Sequence, residues 1–375
     1  MKGTKLIKYL FNTEVAKKSR LPWVDYAKGI AIILVAYRHI LIGFERSGLE
    51  IHKYLLNANE IFYSFRMPLF FILSGVFITT SLEKRGLRKL LENKWKTLLY
   101  PYIIWAIIQI TLQIIFAKYT NANRTFKDYT YILLQPDALD QLWYLFALFN
   151  VAFVYVVLKA YVHIKAWQQL VLGIILHSLS LIINFGPWHD LLYYYLFYAL
   201  GDLISIYLLK NSLYNIFGSW KTFFTLLPIF TVSQWYFINH ESVQYTHIYV
   251  FAFIALSGCA FMLNICFKLQ KWGRLTFLKI IGYYSLYVYV MHVMIVSFFR
   301  SFFTNIVGIH SVAFLLILNL SLGIGLSIII YNFAIRSGLW FLFTLDKNRV
   351  HTSPQNKTNQ TAKIENKKAV SNLQP

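Results

Sequence analysis

Charge is scarce in this chain, and acid is scarcer than base. Only 14% of its 375 residues are charged, against roughly 25% in an ordinary soluble domain, and Asp plus Glu total 15 against 36 Lys plus Arg. With 58% hydrophobic residues, that scarcity excludes a soluble globular composition and, for most of the chain, disorder. Cysteine is nearly absent. Cys259 and Cys266 lie in one apolar run, seven residues and so about 10 Å apart along a helix, too far to bridge. No disulfide scaffold or cysteine metal site follows, and no metal is expected. No internal repeat is visible, which removes the inverted-repeat signature of many secondary transporters. The stretch before Asp25 holds Lys2, Lys5, Lys8, Lys17, Lys18 and Arg20 but no sustained apolar core, so it does not read as a signal peptide.

What the chain has instead is long apolar runs. Windows of about 20 residues mark ten candidate spans at 26–44, 61–81, 97–117, 141–162, 168–185, 188–209, 220–239, 246–268, 280–301 and 311–335. The expected fold is an all-α polytopic membrane protein of about ten transmembrane helices. Placing the basic N-terminal stretch inside puts nearly all Lys and Arg on the cytoplasmic side, with Arg46, Lys53, Lys118, Arg124 and Lys127 outside. The positive-inside rule then sets both termini in the cytoplasm. Topology and anionic lipid thus account for much of the net +21, which weakens any nucleic-acid reading. Three segments follow: a basic cytoplasmic segment over 1–22, a membrane domain over 23–345 and a disordered polar cytoplasmic tail over 346–375. A tight external hairpin is required at Gly186-Pro187. Asn123-Arg124-Thr125 matches a glycosylation triplet, a pattern short enough to recur by chance.

A titratable side chain inside a span costs several kcal/mol or more unless paired or hydrated, so each is a functional candidate. The set is small: Lys28, Arg38, His39, Arg66, His177, Asp202, His292 and Arg300. Lys28 and His39 are eleven residues apart, which at 100° per residue places them on one helix face about 16 Å apart in depth. Asp25 falls near the same stripe and can pair with Lys28 one turn on. Lys28 also reads as a snorkelling anchor, and His39 as a hydrogen-bonded interhelical histidine. The second span runs inward and puts Arg66 level with His39, beside Pro68, whose missing N–H frees a backbone carbonyl. The ninth span runs outward, placing His292 in its outer half, on the same face as Ser285, and Arg300 at its rim. Ser74-Gly75 reads as close helix packing. Arg38, 100° round from His39, reads as facing a polar interhelical contact. Lys84, Arg85, Arg88, Lys89, Lys94 and Lys96 gather before Tyr100-Pro101-Tyr102, either as ordinary anchors or as contacts for the phosphates of a cytosolic donor.

Taken in order, Trp23-Val24-Asp25-Tyr26-Ala27-Lys28-Gly29-Ile30 through His39, Met67-Pro68-Leu69-Phe70-Phe71 with Ser74-Gly75, Leu98-Leu99-Tyr100-Pro101-Tyr102, Leu142-Trp143-Tyr144-Leu145, and Ser285-Leu286 through His292 resemble the integral-membrane acyltransferase family 3, of the polysaccharide O-acetyltransferase type. The resemblance covers about residues 20–335. Its first-span pattern is a basic residue, commonly arginine, then ten residues and an essential histidine; here the basic residue is Lys28. Many members carry an Arg-x-x-Arg pair before the third span where this chain has Lys94 and Lys96, which puts a bidentate arginine contact there in doubt. No hydrolase-like external domain is expected after the spans.

By that resemblance the protein is an acyl-CoA-dependent O-acyltransferase of a bacterial inner membrane. Acetyl-CoA is the expected co-substrate and a hydroxyl of a cell-surface or exported glycan, or a lipid-linked sugar, the acceptor. His39 is the expected base or transient acyl carrier. Arg66 and His292 complete the expected catalytic set by binding the acceptor or stabilising charge. Lys28, Lys94 and Lys96 are the expected donor contacts, with Asp25, Ser74 and Gly75 in structural roles. Membrane lipid and polysaccharide-synthesis proteins are the expected partners, and nucleic acid is not. A transporter or flippase for an exopolysaccharide or lipid-linked sugar, or a secretion-complex subunit, is the alternative. The abundant aromatics, 27 Tyr, 32 Phe and 10 Trp, suit sugar stacking in either but equally an interfacial belt.

Overall fold

Chain buried in lipid must satisfy its own backbone hydrogen bonds, and helices do so within one segment. The computed structural model describes residues 21–117, 124–183, 188–209 and 213–347. Its longer helices are α1 (Pro22–Arg46), α2 (Lys53–Gly75), α3 (Ile78–Lys94), α4 (Tyr100–Ile115), α5 (Trp143–Tyr161), α6 (Ala166–Leu179), α7 (His189–Leu209), α8 (Trp220–Asn239), α9 (Ile248–Trp272), α10 (Thr276–Tyr283), α11 (Ser285–Ser301) and α12 (Val312–Arg336). Among the described residues there is no strand. The basic segment before residue 21, the Gly186-Pro187 hairpin, Asn123 of the glycosylation triplet and nearly all of the polar tail lie outside the described residues.

Seven helical stretches are long and apolar enough to cross a bilayer: α1, Ile78–Ile115, α5, α7, α9, Ser285–Ile306 and α12. The protein is accordingly a helical integral membrane protein. Four of the expected spans differ; the seventh is the 20-residue helix α8, which is not among the seven stretches apolar enough to cross. The second expected span is a helix that starts earlier, at Lys53, carries Glu60 and Arg66, and stops at Gly75. The third is continuous with the basic helix before it, because a π-helical turn over Trp95–Leu99 joins α3 to α4. The fifth is only the 14 residues of α6, about 21 Å at 1.5 Å per residue, short of a hydrocarbon core of roughly 30 Å.

Helix α1 lies at the centre, packed against α2, α9, α10, α11 and α12. Its first turn is fastened by groups the sequence supplies at the right places. Pro22 opens the helix and Asp25 sits in the first turn, where the helix dipole favours negative charge. The Trp23 N–H, one of the orphan donors of a helix start, donates to Gln270 Oε1 at 2.9 Å, and its indole stacks on Phe267 with centroids 5.1 Å apart. The Tyr26 hydroxyl donates to the Arg274 carbonyl. Two glycine pairs let backbones touch: a Cβ on Gly29 or Gly282 would strike the main chain of Leu278 or Asp25, and one on Gly75 or Gly201 would strike Tyr198 or Ile72. Gly75 thus lies where the backbones of α2 and α7 touch. Asp202, 3% exposed, accepts from Lys159 Nζ and the Tyr155 hydroxyl at 2.6 Å each and from the Thr79 hydroxyl. So deep a carboxylate persists because its lone pairs and charge are matched, and the cluster ties α3, α5 and α7 together.

Candidate active site

The C-terminal half of α1 presents Val35, His39, Ile42 and Arg46 at helical spacing to a cavity of about 1440 Å³. Its other walls are α2, the heads of α5 and α7, the outer half of α11, and the loop between α4 and α5. His39 is half-buried on this wall. Behind it is His292 of α11, fully buried, the two rings edge-on with centroids 5.4 Å apart. His292 Nδ1 lies 2.9 Å from the carbonyls of both Val288 and Tyr289. Those partners only accept, so Nδ1 carries the proton and the ring presents the Nε2 lone pair. That nitrogen is buried with no hydrogen-bond partner. An orphaned acceptor beside a cavity-facing imidazole is poised to orient the second ring or to take a proton from it.

Arg66 of α2 lines the same cavity. It is 3% exposed and donates to the Leu34 carbonyl at 3.3 Å and to Asn59 Oδ1 at 3.1 Å. Its guanidinium carbon lies 5.4 Å from the centre of the Tyr63 ring, on which Arg38 also packs at 4.8 Å. Arg38 therefore faces the cavity rather than a purely structural helix contact. Arg300, 4% exposed, also reaches the cavity wall. It fits because Gly43 of α1 has no side chain: a Cβ there would strike the guanidinium.

The loop wall is built by long-range pairing. Asp140 has φ +51°, a left-handed conformation that Asp tolerates better than most residues. Its carboxylate is held by Arg46 of α1 and Gln109 of α4, each at 3.2 Å. Gln141 Nε2 donates to Gln109 Oε1 at 3.0 Å, and the Tyr289 hydroxyl donates to the Gln141 carbonyl. One short segment is thus tied to α1, α4 and α11, and from it Trp143 enters the cavity wall. Asp137, in the same loop, hydrogen-bonds Asp190. Burial first, and then the Asp190 charge, push the Asp137 carboxyl up to about 7, with His189 opposing, so Asp137 holds its proton far above the usual carboxylate range.

The structure therefore brings together His39, His292 and Arg66 but not the expected donor contacts. Lys28, Lys94 and Lys96 are absent from the cavity wall; Lys28 is about 16 Å from His39 along α1, and Lys96 pairs with Glu92 at 2.6 Å. Asp25, Ser74 and Gly75 are likewise outside the wall. His177 is buried with Nδ1 on the Tyr193 carbonyl at 2.8 Å, away from the cavity. Asp137, Asp140, Gln109, Tyr289 and Asp190 went unnoticed in the sequence. The available signal was Pro136-Asp137-Ala138-Leu139-Asp140, a rare cluster of acid just ahead of Leu142-Trp143-Tyr144. Among the described residues no group of three or more His, Cys, Asp or Glu side chains could hold a metal ion.

A family model described as an acyltransferase domain matches residues 21–332, which takes in every element of this site. The chain belongs to the integral-membrane acyltransferase family 3. The acyltransferase is also similar to the nodulation protein NolL of Mesorhizobium japonicum (strain LMG 29417 / CECT 9101 / MAFF 303099), with 26% identity over 184 residues, covering 48% of this chain and 47% of that protein. The match thus spans about half of this curated relative's length. No solved structure matches the acyltransferase. For acyl transfer the site offers a cavity-facing imidazole, a second imidazole of fixed tautomer behind it, and buried guanidinium donors: a base and the means to stabilise an oxyanion.

Proposed function

We propose that this acyltransferase moves an acyl group, taken to be acetyl, from cytosolic acyl-CoA to a hydroxyl of a cell-surface or exported glycan, and that it does so in a bacterial inner membrane with both termini in the cytoplasm. The observation that carries the reading is His39 on the wall of a cavity of about 1440 Å³ with the buried ring of His292 set against it. That volume exceeds the roughly 300–1,000 Å³ of small-molecule sites and has room for more than one sugar.

In this reading His39 takes the proton of the acceptor hydroxyl as its oxygen attacks the thioester carbonyl. The tetrahedral oxyanion is stabilised by Arg66. The carbon–sulfur bond then breaks, the ester is left on the glycan, and the thiolate recovers the proton from His39 to leave as free CoA. His292 Nε2 holds the His39 ring and stabilises its protonated form. Lys28, Lys94 and Lys96, on the far side of the histidines, serve the donor's approach through its phosphates rather than the chemistry.

The test is thiol release from acetyl-CoA by purified protein, coupled to incorporation of labelled acetyl into an oligosaccharide. His39→Ala should lower turnover about 10²–10⁴-fold while the unfolding temperature holds. Wild-type protein that moves glycan across vesicles without consuming acyl-CoA would instead mark a transporter.

A further inference from the structure

The cavity wall carries five arginines, Arg38, Arg46, Arg66, Arg124 and Arg300, against Asp137, Asp140 and Asp190. The acids do not balance them. Asp140 is spent on Arg46 at 3.2 Å, and Asp137 and Asp190 are hydrogen-bonded to each other. Among the described residues Arg38, Arg66 and Arg300 take part in no ion pair. Two of these, Arg66 and Arg300, are 3% and 4% exposed. Arg66 is linked through Asn59 to the Glu60 carboxylate, whereas the charge acting on Arg300 is the like one of Arg46; a guanidinium so buried without a counter-charge is costly, and at Arg300 the cost is relieved when a ligand brings the anion.

The positions of these two groups divide the work. Arg66 touches α1 at Leu34 and Arg300 packs against it at Gly43, nine residues or about 13 Å along the helix axis. His39 lies between them, about 6 Å below Gly43 on the same axis. That rise is about the breadth of one sugar ring. Arg66 is on the inner side, where the thioester oxyanion would form. Arg300 is toward the C-terminal end of α1, where Gly43 makes room for it, and its guanidinium makes a neutral hydrogen bond to Ser297 Oγ at 3.3 Å. A planar fork of donors at that height matches a carboxylate or phosphate on a sugar whose hydroxyl faces His39.

Resting on the acyl-transfer reading above, we infer that the acceptor is an anionic glycan, bearing a carboxylate or phosphate beside the hydroxyl that is acylated, and that Arg300 is the residue that reads this charge. A neutral glycan leaves Arg300 buried and unmatched, so the preference comes from penalty as much as from attraction.

The experiment uses the full chain in phosphatidylcholine nanodiscs with three probes: an oligogalacturonide, the same oligosaccharide with its carboxyls reduced to alcohols, and a phosphorylated neutral oligosaccharide. Equilibrium binding is read first, without acyl-CoA, so that it does not depend on turnover. The acidic probes should bind at least tenfold more tightly than the reduced one. Arg300→Gln should cut that ratio about tenfold, and Arg300→Lys should restore part of it, since a point charge replaces the fork. Should Arg300→Gln fail to fold, the wild-type ratio and its loss at high salt still decide the matter. Equal binding of acidic and reduced probes by the wild type overturns the inference, as does an Arg300→Gln variant with an undiminished ratio. Nanodiscs of phosphatidylglycerol separate the other source of phosphate: if that lipid abolishes the preference by filling the site, the arginines belong to lipid and the inference fails. Acidic preference in binding with no acyl transfer to any probe would sink the acyl-transfer reading alone. Transfer with equal efficiency to acidic and reduced probes would sink the anionic acceptor alone.

Discussion

Replacing His292 with phenylalanine removes the lone pair that faces His39, together with the Nδ1–H that donates to the Val288 and Tyr289 carbonyls of its own helix. The ring stays, volume is nearly conserved, and the packing against α1 is kept, so the fold should tolerate the change at a cost below about 1.5 kcal/mol. What is lost to catalysis is Nε2, a buried acceptor with no partner of its own, behind a His39 ring whose centroid is 5.4 Å away. Two imidazoles at that separation come within hydrogen-bond reach on a small rotation, and apo catalytic hydrogen bonds are often loose until substrate binds. When His39 holds the acceptor's proton, the bond to Nε2 is one to a charged group, worth about 1.5–3 kcal/mol. At 1.36 kcal/mol per decade that is about a 10- to 150-fold fall in kcat. The assay is steady-state thiol release from acetyl-CoA, with KM for acetyl-CoA expected to stay within about twofold because donor contacts lie elsewhere. The double variant with His39→Ala should be no slower than His39→Ala alone, since the two residues act as a unit. A His292→Phe variant with wild-type kcat, or one whose loss adds fully to that of His39→Ala, would refute the pairing.

The remaining expectations concern the scaffold and the loop. Gly75→Ala forces a methyl group against the Tyr198 carbonyl, where backbone meets backbone, and should cost about 1–3 kcal/mol, read as thiol-dye labelling of the buried Cys259 and Cys266 on heating. Lys159→Met strands the Asp202 carboxylate and should cost about 3–5 kcal/mol, whereas the double variant with Asp202→Leu should recover much of it. Asp137 is raised from 3.8 to about 7, so its contribution to stability is fully present below pH about 4 and lost as pH rises through about 7. Unfolding temperature should fall across that window in the wild type, and Asp137→Asn should flatten the slope. A slope unchanged by that substitution would show that the proton is held elsewhere.

The histidine pair was legible in advance because depth is arithmetic in a membrane helix. Counting residues from the span ends puts His39, Arg66 and His292 near one depth; in the structure the two histidines meet, and Arg66 reaches α1 at Leu34, about a turn and a half from His39 toward the helix N-terminus. The loop acids were not legible, since nothing local marks them. Asp140 finds Arg46 and Gln109 across 94 and 31 residues of sequence, and its left-handed backbone carries no glycine to announce it. Helix α2 began earlier than hydropathy suggested because Lys53, Asn57, Asn59 and Glu60 are polar yet helical; a polar residue ends an apolar window without ending a helix. The same error set the start of the third span near Lys96, where the charge ends the apolar run but the π-helical turn carries the helix on through Pro101.

That turn has a mechanical consequence. The basic helix breaks at Gly86, with φ 70° and ψ 165°, and from there to Ile115 the chain runs helically for 29 residues, about 43 Å at 1.5 Å per residue. A hydrocarbon slab is roughly 30 Å deep, so a rod standing along the membrane normal would rise about 13 Å clear of it. Arg88 and Lys89 ride on that mast, with Lys94 and Lys96 at its foot. Their elevation is fixed by backbone geometry and not by the lipid, so a thinner bilayer bares more mast without moving them relative to the histidines. Removing one residue from the π-helical turn would leave the mast standing and swing its cations by about 100°, a rotation that side-chain flexibility alone cannot undo.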